Sequence, residues 1–109
     1  MRNNVLRLVN AARQELGLPL LDQLPRGLRA SPAHCPIALA LEGKAEVLLK
    51  VAAVPRHDQE TASALARAWQ TQAQLDEHYG AWFAPLPEAL RRFVTDFDGG
   101  KFPELGVEA

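Results

Sequence analysis

Lys44-Ala45-Glu46-Val47-Leu48-Leu49-Lys50-Val51-Ala52-Ala53-Val54 is the stretch on which the fold class turns. Val47, Leu49, Val51 and Ala53 alternate with Glu46, Leu48, Lys50 and Ala52, the period-two pattern of a half-buried strand. Leu48-Leu49 and Ala52-Ala53 also fit a helix, and alanine is a strong helix former. The β-branched residues and the closing Pro55 favour a strand. A lone strand needs a partner, yet no second segment of similar quality stands out. A short piece of 79–84, the C-terminal tail or the same strand of a second subunit would have to supply it.

The flanking segments read as helices. Val5, Leu8, Val9, Ala12 and Leu16 make one buried stripe on a helix from Asn3 or Asn4 to Leu16, with Gly17 at its left-handed end and Pro19 beyond. Leu20–Leu24 reads as an apolar turn that packs down, and Arg26–Ala30 as a loop. Pro36 opens a short helix that is apolar all round, hence interior, with Cys35 near its N-cap and Gly43 at its end. A third helix is expected from Asp58 to His78, with Ala62, Leu65, Ala66, Trp69 and Ala73 inward and Asp58 as cap. Tyr79–Ala84 is an aromatic connection too apolar to be an exposed linker. A fourth helix runs from Pro87 to Phe97 on Leu90, Phe93, Val94 and Phe97, and Gly99-Gly100 stops it. Phe102, Pro103 and Leu105 are apolar enough to pack back.

These readings predict a mainly α chain. It is a compact helical domain of three longer helices around a short buried helix, with one small β element near 45–54. Residues 1–109 form one domain, a length that holds a real core without disulfides or metals. The 48 % apolar content excludes wholesale disorder. A single cysteine excludes an internal disulfide framework. Residues 1–20 do not read as a signal peptide, and no apolar run approaches the roughly 18 residues of a membrane span. The expected location is the cytoplasm.

Net charge is −1, but its two halves differ. Residues 1–57 carry eight Lys/Arg against four Asp/Glu, and residues 58–109 four against nine. The basic half presents Arg2, Arg7, Asn10 and Arg13 on the outer face of helix 1, and Arg26 and Arg29 in the following loop. These six are the candidate contacts to nucleic acid or a partner, since such side chains reach phosphates and base edges.

No catalytic residue, cofactor or metal site is expected. His34, Cys35, His57 and His78 lack the spacing of a ligand set. His34 and Cys35, as sequence neighbours, do not face each other as base and nucleophile. Asp96-Phe97-Asp98-Gly99-Gly100 reads as a helix stop rather than a calcium loop. No phosphate-binding loop is present. Glu88–Arg92 has salt-bridge spacing on an exposed helix face.

Asn4 to Leu20 resembles the opening helix of the cysteine-rich secretory (CAP) domain family, but that family's later histidine and glutamate motifs are absent and nothing carries over. A broader likeness rests on Leu24-Pro25-Arg26-Gly27, Ser31 through Cys35-Pro36-Ile37-Ala38, Leu86-Pro87 through Phe93-Val94, and Phe97-Asp98 through Phe102-Pro103-Glu104-Leu105. Together these resemble small proteins of actinobacteria and their phages whose function is unassigned. The resemblance implies an origin, and a setting in which a regulatory or host-interacting role is natural. The expected function is a small non-enzymatic interaction or regulatory protein that binds another protein or itself, as a homodimer. The alternative is a DNA-binding regulator that uses the basic helix face and the Arg26–Arg29 loop.

Overall fold

The computed structural model describes the backbone of residues 2–106 and the side chains of residues 3–106. The described elements are α1 (Arg2–Glu15), α2 (Pro36–Ala40), β1 (Glu46–Val47), β2 (Val51–Pro55), α3 (Gln59–Ala68), β3 (Gln74–Asp76), β4 (Ala81–Pro85) and α4 (Glu88–Asp98), followed by a 3-10 turn over Pro103–Leu105. The strands form one antiparallel sheet in the order β1-β2-β4-β3. The fold is therefore α+β, and the expectation of a mainly helical domain with a single small β element is overturned.

Two local events account for the difference. Lys44–Val54 is a hairpin rather than one strand. The chain turns at Leu48, whose N–H donates to Val51 O at 2.9 Å. The turn shifts the inward phase, so that Val47, Ala52 and Val54 are buried while Leu49 is exposed. The third helix also stops at Ala68, well short of His78. Gln70 takes φ 52°, and Thr71 N–H closes back on Ala66 O at 2.9 Å. Left-handed glutamine is uncommon, and no glycine or proline marks the stop. Trp69 holds the end of α3 against α1, donating its indole N–H to Leu8 O at 3.0 Å. The residues released enter β3. The aromatic connection becomes β4, which pairs Ala52 with Ala84 and Val54 with Trp82. The partner sought for the strand is thus the 79–84 region, within the same chain.

Other expected elements stand close to where the sequence places them. Gly17 has φ 74° after α1. Asp58 caps α3, accepting from Thr61 Oγ1 at 2.6 Å and Thr61 N–H at 3.2 Å. The Thr61 hydroxyl is the main reason its carboxyl lies below the ordinary carboxylate range. Cys35 caps α2, its sulfur accepting from Ala38 N–H at 3.4 Å. Leu39 is the outward exception on a helix expected to be buried all round.

The core lies between the helices and one face of the sheet. Small residues at Ala52 and Ala84 let α3 pack on β2 and β4, and α1 packs in turn on α3 and α4. Val5, Val9 and Ala12 of α1 are wholly buried, as are Leu65, Leu90 and Phe93 within rounding. Phe93 stacks on Phe97 at 5.9 Å and on Phe102 at 5.3 Å, which draws the tail onto α4. The tail also meets the loop after α1, where Gly27 N–H donates to Leu105 O at 2.8 Å. Of the apolar turn at 20–24, Leu24 packs inward but Leu20 is 62 % exposed.

Candidate functional site

Two of the four residues expected on the outer face of α1, Asn10 and Arg13, are spent on the fold. Arg13 is 5 % exposed, not on an outer face. Its guanidinium donates to Pro19 O at 2.6 Å, Ala40 O at 2.8 Å and Glu42 Oε2 at 2.9 Å. Position 13 follows Val9 by four residues and so lies beside the buried stripe. The turn at Gly17–Pro19 then folds a carbonyl onto it. Asn10 is committed too, exchanging two hydrogen bonds with the backbone of Leu21 at 2.8 and 3.0 Å. Arg26 donates to Gly106 O at 2.7 Å and shares a shallow groove with Asp22 and Glu104. Arg29 lies over Gly100, where an added Cβ would meet its guanidinium at 2.8 Å. Arg7 is exposed, and the side chain of Arg2 lies outside the described residues. The five whose side chains are described do not converge on one surface of free cations.

Cys35 is 4 % exposed, as a packed residue should be. Burial pushes its thiol above the ordinary value of 9.0, and the N–H groups of Ala38 and Ile37 oppose this without reversing it. The short helix does not make a thiolate here. His34 points elsewhere, with Nδ1 at 3.1 Å from Ser31 Oγ. Since the folded pKa is raised, stability from this group is full below 9.0 and declines as pH rises past it. We expect alkylation of Cys35 by iodoacetamide at pH 8 to be at least about tenfold slower than that of a free thiol. A rate matching the free thiol would contradict the buried position.

Among the described residues no group of three or more His, Cys, Asp or Glu is placed to hold a metal ion. Asp98 accepts from Ala30 N–H at 2.8 Å, which ties the end of α4 to the Arg26–Ala30 loop, and Asp96 lies 3.4 Å from Lys101. Glu88 and Arg92 pair at 2.9 Å on the exposed face of α4.

What the sequence did not disclose is the second face of the sheet. The register puts Val51, Ala53 and Pro55 of β2 beside Pro85, Phe83 and Ala81 of β4, with Gln74 and Asp76 of β3 alongside. Alternation sends this set away from the core, and its members are half-buried or exposed. The helices that contact β2 and β4 do so on the opposite, alanine-rich side. An open groove of about 860 Å³ runs across the outer face, with Phe83, Val51 and Pro85 in its floor and Gln72, Gln74, Asp76 and Glu77 along its side. Tyr79 is 71 % exposed and leans on Phe83 at 5.9 Å, and His78 meets Tyr79 edge-on at 5.0 Å. The available signal was the density of aromatics in Tyr79–Phe83, which the helical reading of the preceding residues left without a register.

An α+β domain with a one-sided antiparallel sheet is as far as the architecture classifies the chain. No family model, curated protein or solved structure matches it. No helix among the described residues is long and apolar enough to cross a membrane.

Proposed function

We propose that the protein is a small, non-enzymatic interaction protein that receives another protein on the outer face of its sheet. One observation carries this reading: among the described residues no helix packs on the outer face of the sheet, which holds Val51, Phe83 and two prolines, with exposed Tyr79 at its edge. An apolar patch bordered by polar residues on a small chain is the usual form of an interaction site. Aromatic side chains supply most of the energy in such contacts. We place its action in the cytoplasm, and the sequence resemblance suggests an actinobacterial or phage setting in which a regulatory role is natural.

The DNA-binding alternative has less to draw on. Arg13 and Asn10 serve the fold, and carboxylates accompany Arg26. Phosphate affinity depends on the number of cations presented together.

The test compares partners recovered from the native host by the wild type and by Phe83→Lys/Tyr79→Lys. Both positions retain solvent contact, so thermal stability should change by less than about 1 kcal/mol. Proteins recovered by the wild type and lost with the double variant are the expected result. Identical recoveries, with the variant folded, would remove this face from the function.

A further inference from the structure

We propose that the partner segment bound on this face is extended and carries an arginine or lysine, whose cation lies against Tyr79 and Phe83 beside Asp76 and Glu77, while its apolar neighbours rest on Val51 and Pro85. This inference rests on the interaction reading above and names the chemistry of its ligand. Two independent features lead to it. The groove is lined by two carboxylates and by no cation. Phe83 belongs to its lining and carries Tyr79 beside it at 5.9 Å, and ring faces attract ammonium and guanidinium groups. An apolar strip along strands, flanked by polar groups, suits a peptide whose alternate side chains point down into it.

From outside the groove lining, Arg56 makes a weak version of the same contact. Arg56 lies 3.8 Å from Glu77, with their side chains 60 % and 75 % exposed. A pair so open and so long contributes little, and an incoming cation can displace it. A second copy of the chain is the less suitable occupant, because it would bring the same Asp76 and Glu77 to the interface. We therefore expect light scattering to report a monomer at high concentration.

The probe is a short capped peptide of alternating valine and arginine, with a glutamate-for-arginine counterpart as control, followed by NMR shifts of Phe83 and by Trp82 fluorescence. The arginine peptide should bind at least about tenfold more tightly than the glutamate peptide, with its largest shifts at Phe83 and Tyr79. Tyr79→Ala and Glu77→Gln should each weaken it about two- to fivefold, Tyr79→Phe should retain binding, and Arg56→Ala should tighten it. Binding should fall with added salt. Equal affinity for the two peptides, shifts centred elsewhere, or no shift at millimolar peptide would overturn the proposal. If the double lysine variant still loses a natural partner while the arginine peptide fails to bind, the interaction reading stands and the cation chemistry does not.

Discussion

Gly27→Ala is expected to remove about 3 kcal/mol of stability, enough to unfold much of a marginal domain of this size. Gly27 does not need its glycine for an unusual φ. It needs it because the chain crosses another segment there. A Cβ would stand 2.5 Å from His34 O, 2.6 Å from Pro36 N and 2.7 Å from the carbonyl carbon of Cys35. All three are backbone atoms that no rotamer change can move. The same residue donates to Leu105 O, and its neighbour Leu28 donates to His34 O, both at 2.8 Å. Three segments are thus held at one point: the Arg26–Ala30 loop, the entry to α2 and the C-terminal turn. Urea denaturation provides the measurement. Gly17→Ala is the control, since nothing lies within 4 Å of a Cβ there and only the left-handed φ of 74° opposes it. That strain is worth about 1–2 kcal/mol. A Gly27→Ala loss no larger than the Gly17→Ala loss would contradict the crossing.

Arg13→Ala should cost a comparable amount, about 3 kcal/mol, by leaving the carbonyls of Pro19 and Ala40 without their donor. The guanidinium reaches three acceptors in different directions, which a single ammonium cannot imitate. Arg13→Lys should therefore recover only part of the loss. Glu42→Ala should cost less than about 1 kcal/mol, because the Glu42 side chain is 51 % exposed and water can replace it. The series separates two roles for Arg13. A residue that presented its charge to a phosphate or partner would lose binding on substitution and leave stability alone. The geometry predicts the opposite, and denaturation curves of Arg13→Ala that overlay the wild type would refute it.

Arg13 illustrates how a site residue can be legible by type and illegible by role. Its sequence position is polar in a helix that needs a polar face. Only the return of the chain through Pro19 and the approach of α2 turn it into a buried clamp. Long-range contacts of that kind leave no trace in local periodicity. Where the local signal is strong, the sequence was sufficient. The stripe of α4, the Asp58 cap, Pro36 at the first position of α2 and the Gly17 stop all appear as expected.

The sheet was harder to see for two physical reasons. β1 and β3 are only two and three residues long, too short for alternation to register. The chain also reverses at Gln70 without glycine or proline. That turn is imposed by packing on either side, so a rule that looks for Gly or Pro misses it. One consequence is that the candidate docking face is invisible in the sequence: Trp69 and Ala73 read as one helical face that continues to His78, and Phe83 has no register at all. Tyr79–Ala84 nonetheless reads as too apolar for a linker, and it contains all of β4 but Pro85, together with the aromatic pair.

The claim that the bare sheet face is the working surface is tested most directly by a photo-crosslinking amino acid placed at Tyr79 in the intact protein within its native host. The same group at Gln14, exposed on α1, serves as the comparison. Crosslinking to a discrete partner from position 79, abolished by Phe83→Lys and absent from position 14, is the predicted result. Equal crosslinking from both positions, or crosslinking from position 14 alone, would contradict it.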